Sequence, residues 1–160
     1  MITMLIRKFR YNDAEKVSDL IKKVLLEVNS KDYSKSVIHF MCNHFTPERI
    51  IKNSNDRTTF VAIQNDKIIG TISLKKNVIH LLFVNPKLHK KGLGTKLVNR
   101  AEKLAVKNKY KTIVVPSSIT ALVFYKKLGY KEFKRVIKKK YGKIIIMKKR
   151  LSIPSNKSFK

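Results

Sequence analysis

Apolar residues in the N-terminal third of the chain recur mainly at the spacing typical of helices. Residues 5–9, Leu-Ile-Arg-Lys-Phe, predict a first strand. The order Thr46-Pro47-Glu48 gives an N-cap, a proline in the first turn and then an acid, so it predicts a short helix over 46–53. Between them, helices are predicted over 34–43 and over 14–28, where the apolar residues share one helical face: Val17, Leu20, Ile21, Val24, Leu25 and Val28.

From residue 59 onward the pattern becomes typical of strands and then alternates between strands and helices. The first three predicted strands are joined by turns at 65–67 and 75–77. The order of the predicted elements indicates an α/β layer fold with a mixed sheet. These elements are strands over 59–64, 68–74 and 78–84, a helix over 92–108, a strand over 112–115, a helix over 118–128, and a hairpin of strands over 132–137 and 143–149.

The size of the chain predicts one domain. Its 160 residues are enough to bury a core without disulfides or a metal. We expect a single domain over 1–150 and a short polar tail over 151–160. The single cysteine, Cys42, cannot form an internal disulfide, which favours a cytoplasmic protein. No apolar run reaches the length of a membrane span and the first residues lack the order of a signal peptide, so no membrane partner is expected.

The charge of the chain is strongly positive and unevenly distributed. Lysine and arginine number 37 against 10 acids, a net of +27, and residues 81–160 carry +21 of it. Such a field attracts polyanions: nucleic acid, an acidic membrane or a phosphate-rich cofactor. The alternative is that the positive charge has no binding role, because an A/T-rich coding sequence also yields many lysines. Arginine, the better residue for paired phosphate contacts, occurs only seven times.

The turn between the predicted strand 78–84 and the helix that follows has the features of an anion site. Gly92 and Gly94 allow positive φ or a close approach of a ligand to the backbone. The helix start offers unpaired N–H groups and the positive end of the dipole, and Lys90, Lys91 and Lys96 add charge. We therefore predict a pyrophosphate cradle. It is not a Walker loop, because the Gly-Lys-Ser/Thr order is missing, and not a dinucleotide fingerprint, because it has too few glycines and no acid at the expected distance.

Two motifs, which follow one another along the chain, resemble those of the GCN5-related N-acetyltransferases. The first is Val-x-Pro, five residues and Gly-x-Gly-x-x-Leu, with His89 where the family usually has Gln or Arg. The second is the run 118–130, Ser-Ile-Thr-Ala-Leu-Val-Phe-Tyr-Lys-Lys-Leu-Gly-Tyr, with Ser118 in place of the usual Asn. The resemblance spans roughly residues 4–150. It implies the family's central mixed sheet with helices on both faces, and acetyl-CoA as the cosubstrate.

The resemblance also implies which residues bind acetyl-CoA. The cofactor lies between two splayed parallel strands, where backbone groups contact the pantetheine and the thioester oxygen. A donor to that oxygen stabilises the developing oxyanion, and losing one costs about 3–4 kcal/mol. Ser118 is expected to contact the cofactor directly or through water. The implied backbone contacts are strand residues Leu82, Phe83 and Val84 and turn residues His89, Lys90, Lys91, Gly92, Leu93, Gly94 and Thr95.

The implied catalytic residues are Tyr125 and His80. Tyr125 falls on the family's general acid and is expected to protonate the leaving thiolate, while Phe124 is expected in the core. The glutamates that serve some members as base are replaced by Val78 and Ile113. His80 matches the second strand histidine of the arylalkylamine acetyltransferases, and alternation puts it on one face with Val78 and Leu82. Three possibilities remain open: His80 is the base, His80 is structural, or a water chain removes the proton.

The sequence says less about the acceptor and about other ligands than about acetyl-CoA. His39, Cys42 and His44 share a segment, but no second cluster completes a metal site and none is expected. We expect a small-molecule or peptide amine acceptor of low positive charge, or one carrying its own carboxylate or phosphate, because clustered acids are missing. We expect a monomer or homodimer. Two binding functions compete with transfer: a basic nucleic-acid or ribosome-associated protein, and an acetyl-CoA sensor.

Overall fold

The computed structural model describes residues 3–153, which form one seven-stranded sheet flanked by five α-helices. The strands lie in the order β1-β2-β3-β4-β5-β7-β6. Their bounds are β1 Met4–Lys8, β2 Thr58–Gln64, β3 Lys67–Lys75, β4 Val78–Val84, β5 Thr112–Ser118, β6 Lys131–Lys138 and β7 Gly142–Arg150. The helices are α1 Ala14–Glu27, α2 Lys35–His44, α3 Pro47–Ser54, α4 Leu93–Lys107 and α5 Leu122–Lys127.

The sheet is mixed, as the sequence predicts, because one neighbouring pair of strands is parallel. All other pairs are antiparallel, whereas β4 and β5 run in the same direction. These two strands pair at a single position, Val78 with Val114, near the start of each strand. Past that position their pairing ends, and each strand continues toward its carboxyl end. The sheet is therefore split between the ends of β4 and β5.

The predicted meander is confirmed, including its first turn. Asn65 and Asp66 have φ of 50° and 59° between β2 and β3, and Gln64 pairs with Lys67. Two consecutive left-handed residues form the two-residue turn whose twist suits a β-hairpin. Asn and Asp tolerate this conformation better than most residues because their short side chains bond locally. The predicted third helix is likewise confirmed, and the Thr46 hydroxyl accepts the Arg49 N–H at 3.3 Å.

The two faces of the sheet bury separate clusters of apolar side chains. The α1–α3 cluster joins the first three helices to Val61 and to partly buried Leu81 and Phe83. The α4–α5 cluster joins the last two helices to the other face of the sheet, including Ile79, Val84 and Ile113. Phe124 packs against the second cluster, in agreement with the prediction. The split between β4 and β5 thus has helices α1–α3 on one side and helices α4 and α5 on the other.

The predicted helix over 118–128 is wrong at its beginning. Strand β5 continues to Ser118, which pairs with Ile144 of β7, and α5 begins only at Leu122. The Ser118 hydroxyl accepts the Ala121 N–H at 3.2 Å, which closes a turn before the helix. The pairing with β7 extends strand β5 to Ser118. The local pattern could not predict this, because the strand that pairs with it lies far away in sequence.

The described part of the chain ends just after the last strand. Leu151 is buried, and its N–H donates to the Lys111 carbonyl at 2.8 Å, so the packed region reaches one residue into the predicted tail. Residues 154–160 of that tail lie outside the described residues. Among residues 3–153, none of the helices has the length and apolar character needed to cross a bilayer.

Candidate functional site

The turn between β4 and α4 presents a series of free backbone amides. Within residues 3–153, no backbone carbonyl accepts the N–H groups of residues 90–95, and the first helical bond runs from Lys96 to the Gly92 carbonyl at 3.1 Å. The first N–H groups of an α-helix have no partner within it. Together with the helix dipole, they make this turn suited to bind an anion.

The two glycines of the turn are needed for different reasons. One has a positive φ that would strain another residue, and the other packs too closely on a neighbour to carry a side chain. Gly92 has φ of 85° and open space around it, and Lys90 also has a positive φ, 62°. Left-handed residues in such a turn direct successive amides toward one point, as in anion-binding nests. Gly94 instead lies against α5, because a Cβ there would be 3.1 Å from two atoms of the Phe124 ring. The predicted close approach of a ligand to the backbone is therefore possible at Gly92.

His89, at the first position of the turn, is held by the end of β4. Its Nε2–H donates to the Val84 carbonyl at 2.8 Å, and its backbone N–H donates to the Pro86 carbonyl at 3.3 Å. The imidazole thereby fixes the turn to the strand. The backbone N–H of His89 is occupied, so the free amides of the turn begin at Lys90.

Tyr125 lies on α5 on the α4–α5 face and is almost fully buried, with 3% of its surface exposed. Its ring packs edge to face against Phe124 and Tyr130, with centroids 5.1 and 5.3 Å away. Burial alone raises the pKa of Tyr125 well above its ordinary value, so the phenol is protonated at neutral pH. Every fully buried side-chain polar atom in residues 3–153 has a hydrogen-bond partner. The Tyr125 hydroxyl has no hydrogen-bond partner among these residues. It is therefore not fully buried and must border accessible space.

A β-bulge in β4 changes which side chains share a face. Leu81 has φ of 53°, and the register between β3 and β4 shifts between Thr71 and Ser73. Leu81 and Phe83 consequently pack on the α1–α3 cluster, whereas Leu82 packs on the α4–α5 cluster. The prediction that Leu82 shares a face with His80 is therefore wrong. A bulge inserts a residue into the alternation, and nothing in the local pattern marks it.

His80 precedes the bulge and lies in a polar part of the sheet. It pairs with Ser73, whose hydroxyl is 2.8 Å from that of Thr59 on β2. Burial, and then the positive charges of Arg57 and Lys75, lower the pKa of His80. The imidazole is therefore neutral at neutral pH and has a free lone pair.

Ser118 and Tyr33 close the end of β5. The Ser118 hydroxyl accepts the Ala121 N–H, so its acceptor capacity is partly used by the turn. Tyr33, in the segment between α1 and α2, accepts the Ile119 N–H and donates to the Lys143 carbonyl, both at 2.8 Å. No local sequence pattern predicts this role for Tyr33. Only its partners, 86 and 110 residues away, explain it.

The described residues contain no grouping of metal-ligating side chains, and two surface hollows lie away from the predicted site. Within the described residues, no three His, Cys, Asp or Glu side chains gather as metal ligands would. His39 contacts Asn43, and the Cys42 thiol has a pKa raised by burial. Two surface hollows of about 320 and 230 Å³ share Asn55 and Arg57 at the opposite end of the sheet and include none of the predicted site residues.

Comparisons with known proteins agree with this geometry. Residues 18–151 match the family model described as an acetyltransferase (GNAT) domain. A GCN5-related N-acetyltransferase from Rhodopseudomonas palustris superposes with a TM-score of 0.86 at 23% identity, covering 93% of this chain and 96% of that one. The PaiA N-acetyltransferase of Thermoplasma acidophilum, solved with coenzyme A, gives 0.78 at 23% identity, covering 92% and 99%.

A third structure has the same fold at lower similarity. An aminoglycoside 6'-N-acetyltransferase, also solved with coenzyme A, gives a TM-score of 0.65 at 20% identity, covering 91% of this chain and 96% of that one. At these identities the superpositions establish the fold, and the family model covers most of the chain. With the split sheet and the glycine turn, they show that the chain belongs to the GCN5-related N-acetyltransferase family, whose members are acyltransferases.

Proposed function

We propose that this protein transfers the acetyl group of acetyl-CoA to a primary amine by direct attack of the amine on the thioester. The observation that carries the proposal is the run of free amides at residues 90–95, at the mouth of the split between β4 and β5. Amides at a helix N-terminus suit a diphosphate. Lys90, Lys91 and Lys96 surround them, and the two acids of residues 81–153 are engaged elsewhere: Glu102 with Lys149 and Glu132 with Arg135.

The cofactor would lie along the α4–α5 side of the split. In this arrangement, residues 90–95 hold the diphosphate and backbone groups of Leu82, Phe83 and Val84 line the pantetheine, with Ser118 across the split. Acetyl-CoA supplies the activated acetyl thioester. A backbone N–H directed at the thioester oxygen stabilises negative charge that develops there, which is worth about 3–4 kcal/mol.

Tyr125 and His80 would move the two protons of the reaction. As the amine nitrogen bonds to the acetyl carbon and the carbon–sulfur bond breaks, Tyr125 donates its proton to the sulfur. His80 takes a proton from the nitrogen, directly or through water, and releases it to solvent, from which Tyr125 is reprotonated. The products are an N-acetylated amine and coenzyme A. Support comes from the protonated Tyr125 phenol and the neutral His80 imidazole.

The acid role is tested by Tyr125→Phe in the full chain. We expect kcat for thiol release to fall about 100-fold or more, because general acid catalysis is lost. The dissociation constant of coenzyme A should stay unchanged by calorimetry. Tyr11→Phe is the matched control, since Tyr11 is 60% exposed and bonds only to Asn55 among the described residues. Unchanged turnover in Tyr125→Phe would contradict the role.

The base role predicts a pH dependence that belongs to His80. The lowered pKa of His80 places its titration below the ordinary value of about 6.5. The neutral form is the base, so kcat should rise with pH through that lowered pKa and level off above it. In His80→Gln this acid limb should disappear and kcat should fall. If His80→Gln retains both the limb and the rate, a water chain removes the proton instead.

A binding function is the second candidate, and the charge of the second half of the chain favours it. Residues 81–160 carry a net charge of +21, with three consecutive lysines at 138–140. Binding to RNA or another polyanion would then fall steeply with salt concentration. A cofactor sensor would bind coenzyme A without turnover. Both alternatives predict that Tyr125→Phe changes nothing, which distinguishes them from the transferase.

A further inference from the structure

Five aromatic side chains form a continuous row on the α1–α3 side of the sheet. The row begins at Phe83 on β4, passes through helix α2 and the residue after it, and ends at the turn between β6 and β7. Successive ring centroids are 5.8 Å apart for Phe83 and Phe45, 5.2 Å for Phe45 and His44, and 5.7 Å for His44 and Tyr141. Phe40 joins the row, 5.2 Å from Tyr141. We call these residues the aromatic arch: Phe40, His44, Phe45, Phe83 and Tyr141.

The arch spans the split from the side opposite the anion turn. Phe83 packs on the α1–α3 cluster, whereas Tyr125 and the start of α4 belong to the α4–α5 side. A cofactor held by the anion turn and Tyr125 occupies that side. An amine must therefore reach the thioester from the other side, where the arch connects β4 to the β6–β7 turn.

Residues of the arch carry no negative charge, and within residues 3–153 none of their side chains forms a hydrogen bond or an ion pair with a carboxylate. Arg49 donates to His44 Nδ1 at 3.2 Å, so the ring proton of neutral His44 is on Nε2, 3.4 Å from the Tyr141 oxygen. Burial and Arg49 lower the pKa of His44, which keeps it neutral. Two cations therefore adjoin the arch: Arg49, through its hydrogen bond to His44, and Lys140, whose Nζ lies 5.4 Å from the Phe40 centroid.

The two acids closest in sequence to the arch are Glu48, which is exposed in the first turn of α3, and Asp32, which is already engaged. Asp32 precedes Tyr33, which supports the end of β5, and its carboxylate accepts the Thr120 hydroxyl at 2.8 Å. A second ammonium group placed against the rings would be repelled by the cations Arg49 and Lys140. Aromatic rings favour flat apolar groups, which they contact edge to face or offset.

From these contacts we infer that the aromatic arch selects an acceptor with a single amine and a flat apolar or aromatic body. This inference rests on the proposed transferase function and narrows its substrate class. A short aromatic monoamine packs its body on the rings and presents its nitrogen to the split. A polyamine buries an additional charge without a partner, which is unfavourable.

The inference is tested by thiol release from acetyl-CoA with three acceptors: 2-phenylethylamine, ethanolamine and spermidine. We expect kcat/KM for 2-phenylethylamine to exceed that for each of the others by about tenfold or more. Equal values, or a preference for spermidine, would overturn the inference while leaving the transferase function intact. Absence of thiol release with all three amines, when coenzyme A binds, would overturn both.

Variants of the arch separate its role from general effects on folding. Tyr141→Leu should lower kcat/KM for 2-phenylethylamine about tenfold and leave that for ethanolamine and the affinity for coenzyme A unchanged. Phe133→Leu is the matched control, because its ring is 59% exposed on β6 and contacts Lys148 outside the arch. His44→Asp adds a carboxylate and should raise kcat/KM for spermidine. If Tyr141→Leu lowers all acceptors equally, or spermidine gains nothing from His44→Asp, the arch does not select the acceptor.

Discussion

The close packing of Gly94 on Phe124 gives the sharpest quantitative prediction for the anion turn. In Gly94→Ala the new Cβ would stand 3.1 Å from Cε2 and Cζ of the Phe124 ring. Carbon atoms normally approach to about 3.5–4.0 Å, so the ring or the start of α4 must move by several tenths of an ångström. Such overpacking costs about 1–3 kcal/mol.

The displacement should affect both stability and turnover. For a chain of this length, about 2 kcal/mol lowers the melting temperature by roughly 4–8 °C. Phe124 precedes Tyr125, and the two ring centroids are 5.1 Å apart, so a shift of Phe124 also moves the phenol. We therefore expect kcat for acetyl transfer to fall as well, because proton donation depends on hydrogen-bond distance.

A double-mutant cycle distinguishes this clash from other effects of an added methyl group. Thermal unfolding and thiol release are measured for Gly94→Ala, Phe124→Leu and the double variant. Leucine removes the ring atoms that the Cβ meets, so the double variant should be more stable than the sum of the single changes predicts. Gly92→Ala is the control: it has φ of 85° and no neighbour within 4 Å, so it suffers only strain of about 1–2 kcal/mol that Phe124→Leu cannot relieve. Additive effects in the Gly94 cycle would refute the packing argument.

Two further changes test contacts that hold the fold together, the first of them at the end of β5. Tyr33→Phe leaves the Ile119 N–H and the Lys143 carbonyl without a partner, so we expect a loss of about 1–3 kcal/mol in urea unfolding; a loss below 0.5 kcal/mol would show that water replaces both bonds. Hydrogen bonds from Arg7 lower the pKa of Asp13, so their stabilisation is present above the unfolded value of about 3.9 and lost as the pH falls through the lowered folded pKa. Arg7→Met should therefore destabilise by about 1–3 kcal/mol at pH 7 and by progressively less as the pH falls through the lowered pKa of Asp13, whereas an effect independent of pH would contradict the ion pair.

Local patterns predict those parts of the fold whose causes are local. The stripe of apolar residues in α4 and the Asn65-Asp66 turn each depend on residues within a few positions of one another, and both are confirmed. The glycine turn is also local: the backbone N–H groups of residues 90–95 have no backbone acceptor within the described residues, and the anion that they bind stays a prediction. That Gly94 is constrained by packing could not be predicted locally, because the ring against it belongs to Phe124, on a helix 30 residues later.

The errors occur where distant strands decide the backbone. Leu81 takes a positive φ because β4 must pair with β3 on both sides of a bulge, and this reverses the face expected for Leu82. Strand β5 extends to Ser118 because β7 pairs with it, although its sequence there is compatible with a helix start. The aromatic arch was not predicted either, since its members lie as far apart in sequence as Phe40 and Tyr141.

Calorimetric titration of the full chain with coenzyme A and with pantetheine tests the central claim, that the amides of residues 90–95 bind the diphosphate of the cofactor. Pantetheine shares the thiol arm and lacks the diphosphate together with the 3'-phosphoadenosine attached to it. Charge-assisted hydrogen bonds to several amides are expected to make coenzyme A bind about 100-fold more tightly, with a difference that shrinks as salt is added. Equal affinities for the two ligands, or no heat from coenzyme A, would contradict the claim.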